Sequence, residues 1–343
     1  MDEVPLLEVR HLDKIYDNGF HADKDVSFSV PSGKLVGLIG PNGCGKTTMM
    51  RCINKMHMLT SGDILIDGES VLPKTPTEVA KLVSNVPAEM TASFGLTVFE
   101  TVMLGRYPYL QNMWWETDED ETLVEETLKK FGVHHLQDRA LNMLSSGEQQ
   151  RVLIAKAYVQ EPRLMLVDEP TSHLDMKFKL EVMEYLKAMV KKDMTILVAE
   201  HDISLMARYC DLCVIMKKGE LVAIGEPKKI ITPELIKEVY GVEASVGIDN
   251  EGDLYVLPKR VKIEQQRIGI GGPRRIGSPP SRPVSDGSTF FNPDADFRVF
   301  GGSLPIVIVS RDPPCGQWLR LKANKKPPLP GSRGRRPDRT CVR

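Results

Sequence analysis

A chain of 343 residues, 41% hydrophobic and 27% charged, has the composition of a globular protein and the length for two average domains or one large domain with an appendage. It lacks the apolar run of roughly 18 residues that a membrane-crossing helix needs, and Met1-Asp2-Glu3 lacks the basic and apolar regions of a secretion signal, so a cytosolic protein is expected. The net charge of −1 conceals an asymmetry, because Lys259 to Arg343 carries 18 basic and 6 acidic residues, a net +12 against −13 for the rest.

Leu7 to Val30 reads as an antiparallel hairpin region with turns at Asp17-Asn18-Gly19 and Pro31-Ser32-Gly33. Tyr16, just before the first turn, fits a strand aromatic as well as a functional one. Leu35 to Ile39 is a short apolar run of the kind that forms a buried parallel strand. It leads into GPNGCGKTT, residues Gly40, Pro41, Asn42, Gly43, Cys44, Gly45, Lys46, Thr47 and Thr48, which fits the phosphate-binding pattern Gly-x-x-x-x-Gly-Lys-[Ser/Thr]. Glycine is needed there because backbone N–H groups must close around phosphate oxygens, and a Cβ would hold them off. Lys46 supplies a point charge to the outer phosphates and the Thr47 hydroxyl is placed to ligate Mg²⁺. Lys46 to Lys55 contains no proline or glycine and continues as a helix whose N-terminal dipole faces the anion. A further strand is expected at Ile64 to Ile66, closed by Asp67-Gly68.

From Thr97 the pattern becomes helical. Thr97-x-x-Glu100 is a capping-box pattern, and Thr117-x-x-Asp120 opens another, acidic-started helix that runs toward Phe131 and stops at Gly132. Trp114 and Trp115 between them read as packing anchors. Ser145-Ser146-Gly147-Glu148-Gln149-Gln150-Arg151 starts a helix that continues to about Val159. Capping accounts for Ser145 and Glu148, and a second anion-binding helix N-terminus is compatible with it; capping leaves Gly147 unexplained.

Leu164 to Val167 is a buried-strand run ending in Asp168-Glu169-Pro170. Carboxylates at the C-terminal end of such a strand stand where ligands bind in an open α/β sheet, although a simple strand-ending turn has the same residues. After a phosphate loop, the first can hold Mg²⁺ and the second can polarise an attacking water. The same grammar recurs in Thr195 to Ala199, followed by Glu200-His201-Asp202 and a helix from Ile203 to Tyr209; a lone loop histidine is usually without function, but at the end of a third sheet strand His201 is a candidate γ-phosphate contact. Cys210 and Cys213 form an isolated CxxC with no second ligand pair, so the cysteines read as buried free thiols.

Together these segments resemble one family, the nucleotide-binding subunits of ABC transporters. Beside the phosphate loop, LSSGEQQR from Leu144 to Arg151 resembles the ABC signature, and LMLVDEPTSHLD from Leu164 to Asp175 resembles the family's Walker B strand joined to its D-loop. TVFETVMLGRYPYL from Thr97 and TPELIKEVYGVEASV from Thr232 are similar to importers of iron–siderophore complexes, haem and cobalamin. The resemblance implies an α/β P-loop NTPase fold over residues 1–258, with a RecA-like parallel sheet core, an antiparallel β subdomain and a helical subdomain at about residues 90–160. It implies ATP and Mg²⁺ as cofactors, Tyr16 stacked on adenine, Thr47 and Asp168 at the metal, Glu169 as catalytic base and His201 on the γ-phosphate. Ser145, Ser146, Gly147 and Glu148 would cap the nucleotide of a second copy in a head-to-tail homodimer, with Asp175 crossing the interface. The implied partners are an integral membrane permease and, indirectly, a substrate-binding protein, at the cytoplasmic face of the cell membrane.

Two residues depart from the family pattern. Ala88, followed by Glu89, stands where a glutamine usually contacts Mg²⁺ and the lytic water, and Ser146 replaces the first glycine of the signature pair. The tail from Lys259, with twelve prolines and clustered glycines, reads as disordered or as a translated frameshift, with one possible strand at Leu304 to Val309. Its charge also admits a soluble ABC-type ATPase acting on nucleic acid or ribosomes. A single cassette without a coiled-coil insertion speaks against that, so no nucleic acid is expected.

Overall fold

A computed structural model describes residues 4–88, 95–110, 117–172, 174–190 and 194–259, all within a compact unit that spans Met1–Ile270. The expectations for Glu89, for Trp114 and Trp115, and for the segment from residue 260 onward lie outside the described residues.

Strands β1 (Leu7–Ile15) and β2 (His21–Val30) form the expected antiparallel hairpin, with Leu7, Val9, Leu12, Val26, Phe28 and Val30 turned inward. Strand β3 (Leu35–Ile39) is buried at every position, as an apolar run without alternation requires. Helix α1 (Lys46–Ile53) stops short of Lys55, because Asn54 closes it and Lys55 turns left-handed at φ 59. Strands β4 (Ser61–Ile66) and β5 (Glu69–Ser70) complete a four-stranded sheet of order β2-β1-β4-β5.

Helix α2 (Pro76–Ala80) precedes strand β6 (Val83–Val86). The helical portion follows as α3 (Val98–Met103), a 3₁₀ turn over Leu104–Tyr109, α4 (Asp118–Lys130) and α5 (Ser146–Val159). The capping boxes expected at Thr97 and Ser145 form, and Thr117 with Asp120 at α4 and Thr75 with Glu78 at α2 make two more that were not foreseen. Arg106 holds this portion together. Its guanidinium donates to Asp120 at 2.8 Å, to Glu161 at 2.9 Å and to the Val159 carbonyl at 2.9 Å, with the Arg106 and Asp120 side chains only 12% and 11% exposed. Arg106→Ala strands the Asp120 carboxylate, and a loss of about 3 kcal/mol in unfolding free energy by urea titration is the expected result.

The chain then alternates strand and helix: β7 (Leu164–Asp168), α6 (Met176–Met189), β8 (Thr195–Glu200), α7 (Ile203–Tyr209) and β9 (Leu212–Lys217), with β10 (Glu220–Gly225) returning antiparallel. The six-stranded sheet has the order β10-β9-β3-β8-β7-β6, parallel from β9 to β6. Two short helices, α8 (Pro227–Ile230) and α9 (Pro233–Tyr240), and a hairpin of β11 (Ala244–Ile248) with β12 (Leu254–Pro258) follow.

Because side chains alternate along a strand, the central sheet feeds two cores. Leu35, Ile39, Met165, Val167, Ile196 and Val198 pack with α5, α6 and α7 on one face. Val36, Leu38, Leu164, Leu166, Leu197 and Ala199 pack with α1 and the antiparallel sheet on the other. Register then decides where function can sit: Ile39 lies beside Glu200, and Asp168 beside Ala199. The carboxyl ends of β3, β8 and β7 therefore come out level on one edge, where an open α/β sheet binds ligands. Cys44, Cys52, Cys210 and Cys213 are buried and free, as the spacing implied.

Candidate active site

The loop from Gly40 to Gly45 joins β3 to α1 on that edge. Two of its glycines are fixed by close approach: a Cβ at Gly40 would lie 2.4 Å from the Met216 carbonyl oxygen, and one at Gly45, where φ is 112, would lie 2.8 Å from the Ala22 carbonyl oxygen. Lys46 is buried, and its ammonium donates to the carbonyls of Gly40 at 2.8 Å and Pro41 at 3.4 Å, so the charge is held across the loop itself. The Thr48 hydroxyl is 3.0 Å from the phenol of Tyr16. That contact ties the half-buried ring of Tyr16, edge-on to His57, to the start of α1.

Thr47 and Asp168 are far apart in sequence and meet here. The Thr47 hydroxyl donates to Asp168 Oδ2 at 2.9 Å, while Asp168 Oδ1 is buried with no hydrogen-bond partner. Burial raises the Asp168 pKa, the Thr47 hydrogen bond opposing it. A hydroxyl and a carboxylate with one unused buried oxygen suit a hard divalent cation, so the residues fit Mg²⁺.

Glu169 follows with φ 44, a left-handed conformation that a non-glycine residue adopts at a cost. Its N–H donates to the Ala199 carbonyl at 2.9 Å and its carboxylate accepts from the Ser172 hydroxyl at 3.1 Å, which together hold it at the sheet edge. Thr47, Asp168, Glu169, Asn85, Arg51 and Ala88 line one cleft of about 390 Å³. Ala88 thus faces the same space as the carboxylate pair but brings only a methyl group.

His201 is half exposed, with Nδ1 3.7 Å from Glu200 Oε2. Glu200 is fully buried and accepts from the Thr171 N–H at 3.0 Å, the Thr171 hydroxyl at 2.6 Å and the His201 N–H at 3.3 Å. One carboxylate therefore joins the loop after Glu169 to the loop that carries His201. Glu200 and Thr171 were not among the expected site residues, and the signal for them was an acidic residue closing an otherwise apolar strand.

The segment from Ser145 to Glu148 does not line the cleft. It forms the start of α5, where Ser145 N–H and hydroxyl donate to Glu148 at 2.9 and 2.7 Å, and Ser145 and Ser146 are exposed. Those hydrogen bonds hold the Glu148 carboxyl below the usual carboxylate range. Gly147 is buried, and a Cβ there would stand 2.9 Å from the ring of Phe178. Phe178 in turn donates its N–H to Asp175 at 3.1 Å, the N-cap of α6. The glycine that capping left unexplained is thus accounted for by an aromatic ring, which couples the Ser145 segment to the Asp175 loop. Phe178 was missed as well, since nothing local marks it.

A family model described as ABC transporter matches residues 24–172. The chain is 39% identical over 223 residues to the ABC transporter ATP-binding protein MJ0089 of Methanocaldococcus jannaschii, covering 65% of this chain and 86% of that one. It is 33% identical over 227 residues to the iron(3+)-hydroxamate import ATP-binding protein FhuC of Bacillus subtilis, covering 66% and 84% respectively. Among solved structures, a dimeric post-hydrolysis state of the ATP-binding cassette MJ0796 bound to ADP and Pi superposes with a TM-score of 0.57 at 28% identity, over 64% of this chain and 98% of that one.

Proposed function

The chain belongs to the ABC transporter family, whose ATP-binding subunits are ATPases, and we propose that it powers import of an iron–siderophore, haem or cobalamin-type chelate through a membrane permease. The observation that carries the mechanism is the split site: a phosphate loop with its carboxylate pair on one edge, and an exposed helix N-terminus that does not line their cleft. Each half suits the same anion, so two copies set head to tail bury two ATP molecules between them.

In this reading residues 1–258 form the nucleotide-binding domain. The loop from Gly40 to Thr48 grips the phosphates, Tyr16 stacks on adenine, and Thr47 with Asp168 would hold Mg²⁺, which neutralises phosphate charge when bound. Glu169 takes the proton from the attacking water and His201 orients the γ-phosphate. Ser145, Ser146, Gly147 and Glu148 of the second copy close the site, with Asp175 lending rigidity at the interface. After hydrolysis, charge repulsion opens the clamp and moves the permease.

A docking surface supports the membrane partner. Leu104 and Tyr107 are 43% and 73% exposed at a groove of about 350 Å³ with Phe99, Met103 and Leu110, edged by Glu100 and Glu121. No helix among the described residues is long and apolar enough to cross a membrane, so the subunit would reach the bilayer through that partner, peripherally and on the cytoplasmic side. Purification from detergent-solubilised membranes is expected to recover a many-helix permease, and Tyr107→Glu to lose it while ATP binding is kept. Recovery of nucleic acid or ribosomal protein instead of a permease overturns the importer reading.

A further inference from the structure

Asp23 on β2 is 0% exposed, and neither of its carboxylate oxygens has a hydrogen-bond partner among the described residues. An unpartnered buried carboxylate is costly as an ion. It lies directly beneath the phosphate loop: a Cβ at Gly45 would stand 2.3 Å from Asp23 Oδ1 and 2.8 Å from the Ala22 carbonyl oxygen. The mechanism described above makes no use of it.

The titratable groups around it do not neutralise it. From the loop and α1 come the thiols of Cys44 and Cys52, both pushed up by burial and further by the Asp23 charge. Lys14 stands opposite on β1 in the strand pairing, and neither it nor Lys46 forms an ion pair with Asp23; the Lys46 ammonium is engaged by the loop carbonyls. The carboxyl thus lies against Gly45 of a loop whose N–H groups would donate to several phosphate oxygens.

We infer that Asp23 is a proton site linked to nucleotide binding: the loop takes phosphate with the carboxyl neutral, so binding above neutrality draws a proton from solvent onto Asp23. Burial raises the Asp23 pKa to about 7, which puts the transition in the range where a cell would feel it. Anion binding beside the carboxyl raises it further, and linkage then requires affinity to fall as pH rises. The inference rests on Gly40 to Thr48 being the nucleotide site.

The test is calorimetric titration of the full chain with a non-hydrolysable ATP analogue and Mg²⁺, in two buffers of different protonation enthalpy. At pH 8 the wild-type chain is expected to take up close to one proton more per nucleotide than Asp23→Asn. Its Kd is expected to rise roughly tenfold or more between pH 6.5 and 8.5 relative to that variant. The nucleotide's own phosphate titration is common to both proteins and cancels. Equal proton uptake and equal pH slopes overturn the proposal alone, whereas no nucleotide binding at either pH overturns the site as well. Asp23→Leu serves if the asparagine variant is unstable, and a nucleotide-free readout accompanies both. With a folded pKa of about 7 and an unfolded value near 4, the folded chain binds the extra proton between them. Wild-type stability should therefore fall relative to the variants from pH 4 to 7 and level off above; a constant difference across that window counts against a titrating Asp23.

Discussion

Glu169→Gln is expected to bind ATP and to hydrolyse it at least about a hundred-fold more slowly, the usual cost of losing a general base. The amide is isosteric with the carboxylate, so the packing around it need not change. The left-handed backbone at φ 44 and the N–H bond to Ala199 do not depend on the side-chain charge, and the Ser172 hydroxyl can still donate to the amide oxygen. What disappears is the ability to take a proton from water. Phosphate release measures the rate, and size exclusion with ATP is expected to show the variant as an accumulated dimer, because the step that opens the clamp is blocked. Turnover near the wild-type rate would remove Glu169 from the role of base.

Lys46→Ala should fail one step earlier, at binding. The ammonium is buried and already spans the loop through Gly40 and Pro41, so the side chain both shapes the empty loop and carries the charge that phosphate meets. Hydrogen bonds to charged groups contribute about 1.5–3 kcal/mol, which corresponds to a Kd raised roughly ten- to a hundred-fold. Titration with a fluorescent nucleotide measures it. An unchanged Kd would contradict the assignment of Gly40 to Thr48 as the phosphate site.

The places of these two residues in the fold, at the start of α1 and just after β7, were legible in the sequence because their signals are local. A phosphate loop is a strand, a glycine turn and a helix in immediate succession, and an acidic pair closes an apolar strand within a few residues. The capping boxes at Thr97 and Ser145, and the helix start at Thr117, were legible for the same reason. What escaped was assembled over distance. Gly147 is required by the ring of Phe178, which arrives on a different helix. Strict alternation along β2 gives Asp23 and Asp25 the same, outward face; the left-handed Asp25, φ 49, interrupts the alternation, and Asp23 ends under Gly45. The Arg106 network likewise draws on α4 and the residues after α5. Contacts of this kind leave no periodic trace for a reader of the chain.

The place of β3 in the sheet bears on how the protein is made. Its two neighbours, β8 and β9, are translated long after it, and the loop it carries is braced by the Met216 carbonyl at Gly40 and by the Gly219 N–H donating to the Cys44 carbonyl at 2.9 Å. A nascent or prematurely terminated chain that ends before Gly219 holds the whole GPNGCGKTT stretch yet lacks the walls that shape it. The loop is therefore expected to take its shape only once translation has passed the last parallel strand.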